Sequence, residues 1–415
     1  MPRVHTSTKL EKILATLQSN TSSPYALKPE RMLHLMEFLG NPQNDYKVIH
    51  VAGTSGKTST AYYVAALLKE AGLRTGLTIS PHVDTASERA QIDLEVLPED
   101  VFCERFSQFL ELIKPSGIVP GYFEAFTAFA FWEFAQQKVD YAVVEVGIGG
   151  LVDPTNVIDR DDKLCVITDV GYDHTKILGE TLSEIATHKA GIIQLHNAVF
   201  VHQQSEDVMT PIYSRSKQKH ADLHIVPESN DYTFLPPFQK RNFSLAEATV
   251  AYALERDDLA SLTEKQLDQA ARLPIAARME VREHAGKKVI LDAAHNSQKM
   301  QALVRSLRTQ FAGEPMTVIL GLHKAGPRFV GRLVHELHPI DAHIIVTGFP
   351  PDDMGHFGSA DAIKVAAAIE AEIGADNVEV IEDPAAAFTA AISRSEGVVV
   401  VTGSFYLLNH IRPLL

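Results

Sequence analysis

The chain has 415 residues, of which 45% are hydrophobic and 22% charged, and a formal net charge of −14. Its length exceeds one ordinary core and points to two domains, and its composition is that of a compactly folded chain rather than a disordered one. The negative charge, with no long Lys/Arg run to offset it, argues against a nucleic-acid partner, and two cysteines without a C-x-x-C pair, Cys103 and Cys165, make neither a disulfide framework nor a zinc site.

A reducing compartment suits those cysteines. The opening MPRVHTSTKLEKILATLQ lacks the apolar core of a signal peptide, and no run approaches the ~18 apolar residues of a membrane span. The expectation is a cytoplasmic protein without a membrane partner.

From Tyr46 onward, short β-rich runs alternate with longer helical stretches, the pattern of parallel α/β architecture. The first series predicts strands over 47–52 (KVIHVA), 74–79, 141–146 (YAVVEV), 163–170 and 198–203. They are mostly continuous apolar runs, as expected where helices cover both faces of a sheet. Ser214 to Pro237 reads as polar, loop-prone chain. Residues 259–277 read as a polar helical stretch that turns at Leu273-Pro274, where a proline cannot continue a helix. The domain boundary is set there, giving 1–273 and 274–415. A second series predicts strands over 287–294, 316–322, 342–349, 377–383 and 397–403, which need a sheet of their own.

The strongest motif is HVAGTSGKTSTAYYVAALLKEAG, residues 50–72. A β-rich run enters Gly53-Thr54-Ser55-Gly56-Lys57-Thr58-Ser59, and an amphipathic helix carrying Val64, Leu67 and Leu68 leaves it. Glycines let backbone N–H groups approach phosphates, and a helix N-terminus favours their charge. Lys57 supplies a point charge for β/γ phosphates, and the Thr58 hydroxyl suits Mg²⁺. A glycine-rich turn with a surface lysine is the plainer alternative, but strand and helix fall where a nucleotide loop needs them.

Glu145 lies near the end of the run YAVVEV, before Gly147-Ile148-Gly149-Gly150, at the carboxyl end of a strand where parallel α/β sheets bind ligands. It reads as a magnesium ligand in preference to a strand-end glutamate paired with a base. ITDVGYDHT (167–175) delivers Asp173 and His174 to a loop, and EIATHKAGII places Lys189 just before Gly191. An Asp-His pair alone is as consistent with a capped turn. VILDAAHN sets Asp292, His295 and Asn296 at the end of a strand, either as site residues or with Asn296 as the N-cap of the next helix. His335 and His338 share a predicted helix face, but their spacing is one short of H-E-x-x-H. The aromatic stretch Phe126, Phe129, Phe131, Trp132 and Phe134 reads as core rather than as a stacking platform.

Taken together, these segments resemble the folylpolyglutamate synthase/dihydrofolate synthase family of the Mur ligase superfamily, from near Leu33 to the last residues. The resemblance is carried by RMLHLMEFLGNPQNDYKVIHVAGTSGKTS (31–59), with the short G-T-S-G-K-T loop of Mur ligases. SPHVDTASERAQI (80–92), GYFEAFTAFAF (121–131), VVEVGIGGLVDPTNV (143–157), FQKRNFSLAEA (238–248), ARMEV (277–281), LDAAHN (291–296) and VTGSFYLL (401–408) follow in the expected order. Peptidoglycan-building Mur ligases, with a whole nucleotide-sugar-binding domain before the loop, fit poorly.

The resemblance implies a P-loop, Mur-ligase-type central domain followed by a Rossmann-like Mur-ligase C-terminal domain. It also implies ATP-dependent joining of L-glutamate to a folate or pteroate carboxylate through an acyl phosphate. By the same resemblance Ser80, Glu145 and His174 are magnesium ligands beside the Thr58 hydroxyl of the loop, joined by Lys189 as a carbamylated lysine. Gln239 and Asn242 lie near the nucleotide, Arg278 near its phosphates, and Asp292 and His295 belong to the reacting groups with Lys57. Closure of the C-terminal domain would exclude water from the acyl phosphate, and a monomer is expected. The alternatives are a Mur-type ligase acting on a non-folate acid and a nucleotide-dependent switch. The chain departs from the family pattern at Thr58, where glycine is usual. It also departs at Leu151-Val152-Asp153-Pro154-Thr155-Asn156, where Arg-Leu-Asp-Ala-Thr-Asn is common, and at GLHKAGPRF (321–329), where an Asp-Lys-Asp motif is usual.

Overall fold

The computed structural model describes Ile13, Leu17 and residues 29–228, 231–323, 327–350, 358–374 and 377–415. Most of the N-terminal segment, and Lys324–Gly326 within the 321–329 departure, lie outside the described residues. The chain divides into two compact units. The first holds the described residues up to Leu235 together with Gln239–Leu273, and the second holds Pro274–Leu415 with Pro236–Phe238.

The first unit contains a seven-stranded sheet formed by β1 (Lys47–Ala52), β2 (Thr75–Thr78), β3 (Gln91–Ile92), β4 (Tyr141–Glu145), β5 (Leu164–Ile167), β6 (Ala198–His202) and β7 (Asp222–Val226). Its order is β3-β2-β4-β1-β5-β6-β7, and only the β2–β3 pair is antiparallel. Every residue of β4, β5 and β6 is buried, because the crossover helices cover both faces. One face carries an aromatic layer from helices Glu99–Ile113 and Tyr122–Gln136, with Phe106 4.9 Å from both Phe126 and Phe129. The other packs Ile185, Ala186 and Ile212 of helices Leu182–Ala190 and Glu206–Gln218 against Cys165, Ile167 and Val199. The aromatic stretch is core, as its helical spacing predicts.

The second unit has a six-stranded sheet of β8 (Glu280–His284), β9 (Lys287–Leu291), β10 (Met316–Leu320), β11 (Ala342–Val346), β12 (Val378–Val380) and β13 (Val398–Thr402). The order is β12-β11-β10-β13-β9-β8, parallel except for β8–β9. Together the two units bear out the α/β class.

Several local expectations change. β3, β7 and β8 are not predicted by the apolar runs: β3 has two residues, and β7 and β8 carry polar, partly exposed residues. Ser214–Pro237 therefore includes the end of a helix and a strand instead of continuous loop. The helix expected over 259–277 is confined to Glu264–Ala271, started by a Thr263–Gln266 capping box. His335 is the last residue of its helix, so His338 does not share its face. Instead His335 pairs with Glu372.

Candidate active site

Sheet register assembles the site. β1 pairs in parallel with β4 on one side and β5 on the other, with Val51 opposite Glu145 and Ala52 opposite Ile167. The residues that follow β1 and β5, and Glu145 at the end of β4, thus emerge at the same carboxyl edge, the place where open α/β sheets take ligands.

The loop after β1 needs glycine at both of its ends. Gly53 has φ +149, and a Cβ there would lie 1.8 Å from Thr168 Oγ1; Gly56 has φ +93, and a Cβ would lie 2.3 Å from Asn242 Oδ1. Helix Lys57–Glu70 starts at Gly56 with no side-chain cap, and a helix N-terminus of this kind favours an anionic acceptor. The loop is braced from β5: Thr54 and Ser55 N–H donate to Asp169 O at 2.8 and 3.1 Å, and Thr54 Oγ1 donates to Gly171 O at 3.0 Å. Arg241 Nε donates to both Asp169 carboxylate oxygens at 2.9 and 3.0 Å.

Two predicted lysines meet at this loop. Lys57 Nζ donates to Gly53 O at 3.1 Å, and the buried Lys189 donates to the same oxygen at 2.8 Å. Ser59 is buried, and its hydroxyl has no partner among the described residues. Gln239 and Asn242 are buried on one helix and bonded to each other at 3.2 Å, with Asn242 directly over Gly56.

Glu145 gathers two more predicted residues. Its Oε1 accepts from Thr58 Oγ1 at 2.9 Å and its Oε2 from Ser80 N–H at 3.1 Å. A buried carboxylate and a hydroxyl converging beside a nucleotide loop form the hard oxygen donor set that fits Mg²⁺. Among the described residues, no group of three or more His, Cys, Asp or Glu is arranged to hold a metal. The fit is therefore to an ion that draws its remaining ligands from phosphate and water. His174 caps the short helix Thr175–Leu178 with φ 49, and its side chain is 41% exposed.

Other residues of the site escaped the sequence reading. Asp153 is buried under the glycine segment, accepting from Ile148 N–H at 2.8 Å, Thr155 N–H at 3.0 Å and Thr155 Oγ1 at 2.6 Å. Burial raises its carboxyl above the usual range. Thr155 Oγ1 also meets His50 Nε2 at 2.9 Å. Burial, with the Lys163 charge adding, holds that imidazole well below its ordinary value. The signal available was His50 itself, a polar residue inside the apolar run KVIHVA. Asn156 Nδ2 ties Leu151 O and Gly191 O, each at 3.1 Å, and so fixes this segment to the end of the Lys189 helix.

In the second unit, Asp292 follows β9 and is buried, accepting from Met279 N–H at 2.8 Å and Ala294 N–H at 2.9 Å. Burial pushes its carboxyl up to about 6, against the pull of Arg278 and Lys299. Arg278 stacks 4.8 Å over the Phe405 ring. Because a carbonyl only accepts, the 2.8 Å contact to Ala293 O puts the His295 proton on Nδ1 and leaves Nε2 to accept from Lys299 Nζ at 3.0 Å. Asn296 takes the capping role, its Oδ1 accepting from Lys299 N–H at 2.9 Å.

The chain matches the Mur ligase, glutamate ligase domain over residues 277–405. It is 28% identical to the dihydrofolate synthase/folylpolyglutamate synthase of Bacillus subtilis, over 94% of this chain and 96% of that protein. The Mycobacterium tuberculosis dihydrofolate synthase/folylpolyglutamate synthase is 30% identical, over 88% of this chain and 82% of that one. The crystal structure of Mycobacterium tuberculosis folylpolyglutamate synthase complexed with ADP superposes with a TM-score of 0.84 at 28% identity, covering 98% of this chain and 97% of that one. Likeness of this extent in sequence and fold means that the chain belongs to the folylpolyglutamate synthase/dihydrofolate synthase family.

Proposed function

We propose that the chain uses ATP to join L-glutamate to the carboxylate of a folate or pteroate, releasing ADP and phosphate. The observation that carries this reading is the convergence of Thr58, Glu145, Lys57 and Lys189 on one glycine loop at the carboxyl edge of the sheet. The family resemblance supplies the substrates. In the domain assignment, a nucleotide-binding domain runs to Leu273 and a Mur-ligase C-terminal domain begins at Pro274. The division into compact units supports that boundary.

The 53–58 loop, through the N–H groups where its helix begins, and the Lys57 ammonium hold the triphosphate and offset the charge that gathers on the transferred phosphoryl group. A substrate carboxylate oxygen attacks Pγ; an O–P bond forms, the bond to the β–γ bridging oxygen breaks, and ADP leaves. The glutamate nitrogen then attacks the acyl carbon, so that a C–N bond forms and the C–O bond to phosphate breaks. The proton lost from nitrogen goes to a base. Asp292 and His295 are assigned to this half of the reaction, with His295 Nε2 as the lone-pair atom. Gln239, Asn242 and Arg278 are assigned to binding the nucleotide.

Magnesium, held by Thr58 and Glu145 with Ser80, His174 and a carbamylated Lys189 as the further assigned ligands, would supply charge neutralisation at the phosphates. The carbamate requires a neutral amine to react with carbon dioxide, and burial of Lys189 favours that form.

A ligase for another acid is the second reading, favoured by the exposed Leu151 where the family commonly carries arginine. ADP release measured against a panel of acids and amino acids decides between them. Turnover that requires both L-glutamate and a pterin acid supports the first reading; turnover with a different acid alone establishes the second.

A further inference from the structure

Arg89 is a buried cation with no anionic partner among the described residues. It ends the 3-10 helix Ala86–Arg89, and only 7% of it is exposed. Its Nε donates to His82 Nδ1 at 3.0 Å, and its guanidinium carbon lies 5.3 Å from the ring centroids of both Tyr122 and Phe126. Among the described residues no carboxylate pairs with it, and neither terminal nitrogen has a hydrogen-bond partner. Those nitrogens are not sealed from solvent either.

The neighbouring carboxylates are committed elsewhere. Glu88 accepts from the N–H groups of Val83, Asp84 and Thr85 at 2.8, 2.6 and 2.8 Å. Glu124, on the helix that carries Tyr122 and Phe126, is gripped by Arg31 at 2.6 and 3.0 Å and by Gly121 N–H at 2.7 Å. His82 offers Arg89 only a neutral acceptor, because burial and the Arg89 charge hold its imidazole down to about 3. A buried charge is costly unless it is paired, and a planar guanidinium with its terminal edge open matches a carboxylate in two parallel hydrogen bonds. The arrangement is one half of an ion pair.

The same segment opens at Ser80, whose N–H rests on Glu145. We infer that Arg89 determines specificity by binding a carboxylate of the acid substrate that does not react, the α-carboxylate of a glutamyl residue already attached. The reacting carboxylate is the poorer ligand for it, since two charge-assisted bonds would draw electron density from the oxygens that must attack phosphorus. This inference rests on the ligase reading above. It makes the chain an enzyme that extends glutamylated acids in preference to pteroate.

The test compares the wild type with Arg89→Met and Arg89→Lys, using pteroate and pteroylglutamate as alternative acids and measuring KM for ATP alongside. The expected result is a fall in kcat/KM at least tenfold greater for pteroylglutamate than for pteroate in Arg89→Met, with KM for ATP within about twofold of wild type. Equal losses on the two acids, no loss, or a matching rise in KM for ATP would each overturn the assignment. If either variant fails to fold, butanedione modification of Arg89 in the wild type, followed by peptide mass, gives a second measurement. Protection by pteroylglutamate but not by pteroate or free glutamate is expected, and equal protection by pteroate contradicts the proposal. Should the wild type turn over neither acid, the folate reading itself fails; the same protection experiment with other mono- and dicarboxylic acids then still decides whether Arg89 reads a second carboxylate.

Discussion

Lys57 and Lys189, 132 positions apart in sequence, donate to one acceptor, the carbonyl oxygen of Gly53. The Gly53 carbonyl thereby draws two lysine side chains to the mouth of the phosphate loop. Lys57→Ala should lower kcat/KM on the order of 10³-fold, the scale of losing a phosphoryl-stabilising cation. The Tm should move by no more than about 2 °C, because the Lys57 ammonium adds no core packing. ADP formation and thermal melting on the same preparation check this; near-normal turnover in a folded variant removes Lys57 from the site.

Glu145→Gln keeps the size of the side chain and removes its charge. The half-saturating Mg²⁺ concentration should rise by about tenfold or more, the range found when a metal site loses an important partner. A magnesium titration of ADP release measures it, and an unchanged titration would exclude Glu145 as a ligand.

The Arg241–Asp169 pair positions the loop without being assigned to any phosphate. Its removal in Arg241→Ala should loosen the Asp169 carbonyl that receives Thr54 and Ser55 N–H, raising KM for ATP several-fold with a smaller change in kcat. Steady-state kinetics at saturating acid and glutamate separate the two constants. A loss confined to kcat would contradict this positioning role.

Asp292 links site and stability. Its carboxyl is raised to about 6 in the folded chain against ~3.9 when unfolded, so the folded state holds the proton more tightly. The associated stability is complete below about pH 4 and is lost as pH rises through about 6, a span worth roughly 3 kcal/mol at most. Relative to Asp292→Asn, the wild type should therefore lose stability between pH 4 and 7. Denaturant unfolding of both proteins across that range tests it, and a difference independent of pH would be contrary to it.

How much of this was legible follows from burial. The central strands announced themselves because helices on both faces leave no polar alternation, whereas the edge strands β7 and β8 look like loop. Thr58 and Glu145 stood out by type and position, but their contact depends on the β1–β4 register, which brings residues 87 apart into one pair. The chain from His50 through Thr155 to Asp153 was out of reach for the same reason. A buried polar residue shows itself in sequence, while the partner that satisfies it, here 105 residues away, does not. Arg89 was quoted only within a matching segment, since nothing in SERAQI reveals that its neighbours' carboxylates are already taken.

The central claim is passage through an acyl phosphate, and oxygen tracing tests it most directly. Pteroylglutamate labelled with ¹⁸O in its reacting carboxylate is turned over with L-glutamate and magnesium ATP, and the released phosphate is analysed by mass. One ¹⁸O atom is expected in each phosphate, formed in equal amounts with ADP and the new amide. Phosphate without label, or ADP released at the same rate when acid or glutamate is omitted, would contradict it.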